Sequence, residues 1–70
     1  MKTIKMNLDT LAQDLKFMRR MTGMTQKEVA EQLGIRRQTI TNYENGVRTP
    51  DIRILVAMVD LYGYDIYFEN

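Results

Sequence analysis

Two short helical segments separated by a turn that contains one glycine constrain the fold of this chain more than any other feature. Apolar residues recur at helical spacing up to Leu33, and Gly34 follows directly. Thr25 and Glu28 have the spacing of a capping box, the pattern that begins a helix. A helix over 25–33 has only about two turns and does not persist in water unless it is packed. The chain is therefore predicted to form a bundle in which short helices support one another.

The second short helix is predicted over 36–45, with Gly46 as the residue that ends it. Its inward side is a thin stripe of Ile40 and Tyr43, and its other positions carry long hydrogen-bonding side chains. Arg36 falls at the N-cap position, where arginine cannot accept the amide hydrogen bond that serine or threonine would accept. That choice costs about 0.5–2 kcal/mol if no other acceptor serves.

Two further helices are predicted to complete the bundle. The first covers 7–22 on its three-four apolar spacing, with Thr10 among its candidate N-caps. The other covers 50–62, with Thr49 as N-cap and Pro50 at the first helical position. It is the most apolar segment of the chain and is predicted to be the central helix of the core.

Both ends of the chain have the period-two pattern of a strand. After the last glycine, apolar residues alternate over 64–69, and "KTIKM" near the start alternates more weakly. Because one isolated pair of strands is marginal in water, two arrangements are predicted. Either the terminal strands pair across a twofold axis, or the C-terminal strand pairs with its own copy. Both place a dimer interface at Tyr64, Ile66, Tyr67 and Phe68.

The composition removes most enzyme chemistry. The chain has no cysteine and no histidine, so it lacks thiol nucleophiles, thiolate metal ligands and the commonest general base. We therefore expect no enzyme, no metal site, no cofactor and no small-molecule ligand. No apolar run approaches the about 18 residues of a membrane span, and the first residues lack a signal-peptide core. A single soluble, cytoplasmic domain over 1–70 is the expectation.

Charge is distributed unevenly along the chain although its net value is only +1. Residues 1–50 hold nine Lys and Arg against five Asp and Glu, a net charge of +4. Residues 51–70 hold one Arg against four acidic residues, a net charge of −3. The helices over 25–33 and 36–45 therefore lie in the basic part of the chain, an asymmetry that small proteins often show by chance.

The stretch "LKFMRRMTGMTQKEVAEQLGIRRQTITNYENGVRTPDIRILVAMVDLYG" resembles the Cro/phage-repressor (XRE-like) helix-turn-helix family. The resemblance rests on R-x-x-x-G-x-T-Q-x-x-x-A-x-x-x-G-I, then T-I-x-x-Y-E-N-G, then a cap and proline before the next helix. A constellation of this length is specific, unlike a lone short motif. It implies a mainly α-helical, lambda-repressor-like bundle of four helices, to which the strand pattern adds a short C-terminal strand.

The resemblance also implies which residues contact DNA, since the second helix of the unit enters the major groove in that family. It implies base-reading by Arg37, Gln38, Thr41 and Asn42. It implies phosphate contacts by Gln26, Lys27, Arg36, Thr39, Asn45 and Arg48. It further implies an internal salt bridge between Arg19 and Glu44.

Each assignment has a structural alternative. Arg36 and Arg37 could be solvated surface arginines, and Gln26 and Asn45 could serve only as helix caps. The helix-destabilising choice of arginine at position 36 indicates either a contact with phosphate or base or a residue that is simply tolerated there.

The functional prediction is a sequence-specific double-stranded DNA-binding transcriptional regulator, a repressor that binds a palindromic operator as a homodimer. One alternative is the antitoxin of a toxin–antitoxin operon, because the ending "LYGYDIYFEN" is similar to HipB-like antitoxins. Such a protein would bind its own promoter and a toxin partner. The second alternative is a protein-interaction adaptor on the same scaffold, because a fold does not dictate a function.

Overall fold

The computed structural model describes residues 2–68, which form a helical bundle closed at one end by a small sheet. The elements are β1 (Lys2–Met6), α1 (Leu11–Thr22), α2 (Gln26–Leu33), α3 (Arg37–Glu44), α4 (Ile52–Leu61) and β2 (Tyr64–Phe68). Four helices and a short C-terminal strand confirm the predicted fold class. Glu69, the last residue of the predicted strand, lies outside the described residues.

The start of α2 follows the predicted capping box. The Thr25 hydroxyl accepts the Glu28 backbone N–H at 3.1 Å, and the Glu28 carboxylate accepts the Thr25 backbone N–H at 2.9 Å. The backbone hydrogen bond from Thr25 is the main reason that the pKa of Glu28 lies below its usual value. Gly34 ends α2 with a φ of +68°, a left-handed conformation that favours glycine.

The start of α1 differs from the prediction, which placed it at residue 7. The Asn7 side-chain oxygen accepts the Asp9 backbone N–H at 2.9 Å, and the Asn7 carbonyl accepts the Thr10 N–H at 3.1 Å. These bonds form a turn that delays the helix to Leu11. Thr10 occupies the N-cap position, but its hydroxyl donates to the Asp14 carboxylate at 2.9 Å instead of capping a backbone amide.

The start of α4 corrects a second prediction, because Asp51 and not Thr49 is the N-cap. The Asp51 carboxylate accepts the Ile54 backbone N–H at 2.9 Å. A carboxylate makes a stronger, charge-assisted cap than a hydroxyl. Pro50 is therefore buried ahead of the helix and is not its first residue.

The strands β1 and β2 pair with each other, in parallel, within one chain, with Ile4 opposite Ile66. This corrects the predicted arrangement in which the two terminal strands pair across a twofold axis. The intrachain pair is favoured because α4 returns the chain alongside β1, and Ile4 and Ile66 can then pack against the core. Pairing of β2 with its own copy concerns the other edge of β2 and stays a prediction.

The core lies between the helices, and α4 supplies its centre with Leu55, Met58 and Val59. Ile40 and Tyr43 are the apolar side chains that α3 turns towards this core. The rest of α3 is therefore left at the surface or in polar contacts. Within residues 2–68 no helix is long and apolar enough to cross a membrane.

Tyr62, directly after α4, is buried with an unsatisfied hydroxyl. Its side chain is 4% exposed, and its hydroxyl is the one buried side-chain polar atom among the described residues that has no hydrogen-bond partner. Burial, together with the nearby negative charge of Glu44, raises the pKa of Tyr62 above the ordinary value. A buried polar group without a partner destabilises the fold.

We predict that Tyr62→Phe leaves the free energy of unfolding unchanged at neutral pH or raises it by about 1 kcal/mol, because it removes the unsatisfied hydroxyl. Since the folded pKa lies above the unfolded value near 10.0, the contribution of Tyr62 is full below pH 10 and falls above it. The free energy of unfolding of the variant should therefore increase relative to that of the wild type as the pH rises beyond 10. Denaturant titrations at pH 7 and pH 10.5 measure both effects. A loss above about 1 kcal/mol at pH 7 would mean that the hydroxyl has a partner in solution.

Candidate nucleic-acid interface

The outward side of α3 is a polar surface held at the edge of the bundle. Arg36, Arg37 and Gln38 are exposed, while Thr41 and Asn42 are half-buried one turn further along. Arg36 is the N-cap residue and makes no capping hydrogen bond through its side chain. The long side chains at the start of α3 therefore extend into solvent.

A buried ion pair fixes α3 against α1. Arg19 Nε donates to Glu44 Oε2 at 2.7 Å, and a second guanidinium nitrogen donates to Oε1 at 2.9 Å. The third nitrogen donates to the Met24 carbonyl at 2.9 Å. Glu44 is only 5% exposed, and its hydrogen bond raises the pKa of Arg19. This is the pair that the family resemblance implied, and it joins α1, the turn before α2 and the end of α3.

The same carboxylate anchors Gln26 at the first position of α2. The Gln26 side-chain nitrogen donates to Glu44 Oε1 at 3.1 Å, and its oxygen accepts the Thr41 hydroxyl at 2.9 Å. The amide is therefore oriented at both ends, and the start of α2 is tied to the middle of α3. We define the buried Glu44 carboxylate and the half-buried side chains bonded to it directly or through Gln26 (Arg19, Gln26 and Thr41) as the buried polar network.

Thr41 was predicted to read bases, and the structure gives its hydroxyl a different set of contacts. The hydroxyl lies 2.9 Å from the Gln26 side-chain oxygen and 3.3 Å from the Arg37 carbonyl. Its hydrogen is committed inside the protein, so a base would meet only the methyl group and the oxygen lone pairs.

A shallow groove lies at the N-terminus of α2, beside α3. It is lined by Arg19, Met24, Thr25, Gln26, Lys27 and Arg37. Lys27 and Arg37 are exposed cations that line this groove together with Gln26. The helix N-terminus adds partial positive charge and backbone N–H donors, which together suit an anionic oxygen.

The other residues predicted to contact phosphate are more dispersed. Arg36 and Thr39 lie at the start of α3, and Asn45 is exposed at its C-terminal end. Arg48 lines a separate cleft between the loop after α3 and the start of α1. The structure thus brings Gln26, Lys27 and Arg37 together and leaves Arg48 apart from them.

Three features of this surface were missed from the sequence. Thr25 and Met24 line the groove. The capping box could have indicated this for Thr25, because it places Thr25 at the start of α2, next to Gln26. The Gln38 side-chain nitrogen also donates to the Asn42 side-chain oxygen at 3.0 Å. Their separation of four residues along a helix is a recognisable signal for such a pair.

Carboxylates are not gathered for metal binding in the part of the chain that the structure describes. No group of three or more acidic, histidine or cysteine residues there could hold a metal ion.

Comparison with known proteins connects this geometry to a family. The family profile described as helix-turn-helix matches residues 15–68. The HTH-type transcriptional regulator ImmR of Bacillus subtilis (strain 168) is 42% identical over 54 residues, which are 77% of this chain and 42% of that protein. The chain therefore spans less than half the length of that relative.

A second relative is also an HTH-type transcriptional regulator. The uncharacterized HTH-type transcriptional regulator MJ0272 of Methanocaldococcus jannaschii is 33% identical over 52 residues, which are 74% of this chain and 79% of that protein. The family profile matches most of the chain, and the two-helix unit formed by α2 and α3 is the one that this family has in its name. The chain belongs to the helix-turn-helix family, in its Cro/phage-repressor (XRE-like) form.

Proposed function

We propose that this chain binds double-stranded DNA in a sequence-specific manner and regulates transcription. The observation that carries the proposal is the polar outer side of α3, held by the buried polar network next to the groove between Lys27 and Arg37. The printed names of both relatives, HTH-type transcriptional regulators, support the same function. Repression is the favoured mode, since a small domain bound over a promoter blocks access to it.

Base contacts would come from the start and middle of α3. Arg37 is exposed and long enough to place its planar fork on guanine O6 and N7, the commonest arginine contact in the major groove. Gln38 and Asn42 carry amides, which suit adenine N6 and N7. Thr41 would contribute its methyl group to an apolar contact, because its hydroxyl hydrogen is engaged with Gln26.

Phosphate contacts would come from both sides of the base-reading surface. Gln26 and Lys27 would meet one phosphate at the start of α2, where the helix dipole is positive. The remaining phosphate-contact candidates are Arg36, Thr39, Asn45 and Arg48. Such contacts fix the position of the protein on DNA without reading sequence.

Selection of bound duplexes from a random pool tests the proposed function. We expect an enriched inverted repeat whose half-sites are about 34–36 Å apart, one helical turn of DNA. Affinity for that site should fall steeply between about 50 and 200 mM salt, because phosphate contacts release counterions. A pool that stays random in dilute buffer would overturn sequence-specific binding.

The two alternative functions, a protein-interaction adaptor and an antitoxin, predict different results with the same purified protein. An adaptor on this scaffold would show no salt-dependent retention on a DNA column. An antitoxin would bind its own promoter and also hold a toxin protein in a stable complex. Binding of DNA without any such complex favours the repressor.

A homodimer is part of the proposed function, and the free edge of β2 supports it. In the described chain β1 covers one edge of β2, and no strand covers the other. An antiparallel copy of β2 would extend the sheet to four strands about a twofold axis, which matches the symmetry of a palindromic site. Tyr64, Ile66, Tyr67 and Phe68 would then lie at the interface, as predicted from the sequence.

The side chains of β2 favour one register for this pairing. Ile66 packs against the core, while Asp65 and Tyr67 lie on the exposed side, and Tyr67 is 50% exposed. Placing Ile66 opposite its copy pairs all five residues and sets Asp65 opposite Tyr67 of the other subunit. Placing Asp65 opposite itself would instead oppose two negative charges.

We predict that Tyr67→Glu raises the dimer dissociation constant by about tenfold, because each new carboxylate faces Asp65 of the other subunit. Adding Asp65→Lys to that variant should restore dimerisation by opposing unlike charges. Sedimentation equilibrium measures both constants.

The matched control is Val56→Glu, which adds the same charge at an exposed aliphatic residue of α4. It should leave the dissociation constant unchanged. If Val56→Glu dissociated the dimer and Tyr67→Glu had no effect, the interface would lie on α4 and the proposed pairing of β2 would be wrong.

A further inference from the structure

The exposed side of α3 contains a hydrogen bond between two side chains that were each assigned to base reading. Gln38 Nε2 donates to Asn42 Oδ1 at 3.0 Å, one helical turn away. Gln38 is exposed and Asn42 is half-buried. Neither residue takes part in the buried polar network, so this bond does not hold the helices together.

The bond changes what each amide can offer to DNA. A primary amide carries two N–H donors and one oxygen acceptor. Gln38 gives one hydrogen to Asn42 and keeps its oxygen and its other hydrogen. That remaining pair is what adenine requires, since its N6 donates and its N7 accepts. Asn42 uses one lone pair of its oxygen for Gln38 and keeps both of its donors, so a two-bond contact with adenine would have to share that oxygen with the Gln38 hydrogen.

We propose that Asn42 is a positioning residue that fixes the amide plane of Gln38, so that Gln38 alone reads an adenine in each half-site. The free donors of Asn42 then face an acceptor on the same edge, such as thymine O4 or guanine O6. This inference rests on the proposed DNA-binding function and specifies how two of its residues divide the reading. A side chain ordered before binding loses less freedom when it meets the base, which favours the correct base over its competitors.

The test is a set of variants compared by base preference and not by affinity alone. The base position read by Gln38 is identified with the variant Gln38→Ala. At that position, the preference of the protein for adenine over the other bases should fall by about tenfold or more in the variant. Asn42→Ala should weaken the preference at that same position by at least about threefold, although alanine cannot touch that base. In the Gln38→Ala background, Asn42→Ala should cause no further loss there, because coupled residues are not additive.

Asn42→Asp is the conservative variant. Its carboxylate oxygen still accepts the Gln38 hydrogen, but it has no N–H to donate. Overall affinity should fall because a negative charge is added near phosphate, while the adenine preference at the Gln38 position should be kept. A structural role for Asn42 would give equal changes at every base position in both variants.

Two results would overturn the coupling, namely an unchanged adenine preference in Asn42→Ala or additive losses in the double variant. Both leave the wild-type sequence preference intact, so the proposed function would survive them. Absence of any base preference in the wild type would overturn the proposed function together with this inference. Thermal melts of each variant, compared with the wild type, exclude loss of folding as the cause.

Discussion

Glu44→Ala is expected to unfold most of the protein at 25 °C. The substitution leaves the Arg19 guanidinium, whose side chain is only 11% exposed, without its carboxylate, and it removes the acceptor of the Gln26 amide. Removing one partner of a buried ion pair costs about 3–5 kcal/mol. The core of so small a domain supplies a total of about 3–5 kcal/mol, so the two quantities nearly cancel. Circular dichroism during heating should show loss of helix at or below room temperature.

Glu31→Ala is the matched control, because Glu31 is an exposed glutamate on α2. It should melt within a few degrees of the wild type, as exposed substitutions generally change stability by less than about 0.5 kcal/mol. If Glu44→Ala melted at that same temperature, the ion pair would contribute nothing in solution and the expected result would be wrong.

Replacing both partners separates stability from function. The double variant Arg19→Met with Glu44→Met leaves no uncompensated charge, and such replacements of buried pairs are often neutral or stabilising. We expect it to fold. The Gln26 amide would nevertheless lose its anchor on Glu44, so DNA affinity should stay below that of the wild type.

Arg37→Ala is expected to remove most of the discrimination between specific and random DNA. A well-formed arginine contact with guanine is worth about 1–3 kcal/mol of discrimination. In a dimer on a palindromic site the substitution acts twice, so the affinity ratio should fall by about 30-fold to 2 × 10⁴-fold if the two effects add. Binding of specific and random duplexes at one fixed salt concentration gives the ratio directly.

Arg36→Ala provides a neighbouring comparison of the same residue type. Because Arg36 is assigned to phosphate, its loss should weaken binding to both duplexes equally and reduce the salt dependence. Arg53→Ala, at an exposed arginine of α4, should change neither quantity. Equal losses on specific and random DNA for Arg37→Ala would contradict its base-reading role.

Features that depend on local chemistry were predictable from the sequence. The capping box of Thr25 and Glu28 and the glycine after Leu33 determine where α2 begins and ends, and both were predicted. The α4 cap was missed because Thr49 and Asp51 both qualify as N-caps, and the rule that proline suits the first helical position pointed to the wrong one. Competing local signals of similar strength cannot be ranked without the packing around them.

Features that depend on distant packing were not predictable in the same way. The pairing of Arg19 with Glu44 was implied only by resemblance to a family. The bond between Gln26 and Thr41 joins two helices across a turn, and nothing in the local pattern indicates it. One of the two predicted arrangements of β2, its pairing with the N-terminal strand across a twofold axis, was wrong. The strand that pairs with β2 depends on where the chain lies after α4.

The parallel sheet has a consequence for the order of assembly. In the sequence, β1 precedes all four helices and β2 follows them. Pairing of the two strands therefore closes a loop that contains the entire bundle. Closing a long loop is entropically unfavourable until intervening segments are in place. The helices can therefore organise first from contacts close in sequence, and the two-stranded sheet is completed last. In the homodimer that we propose, a newly made chain would thus have α3 in position before its β2 edge can pair with another copy.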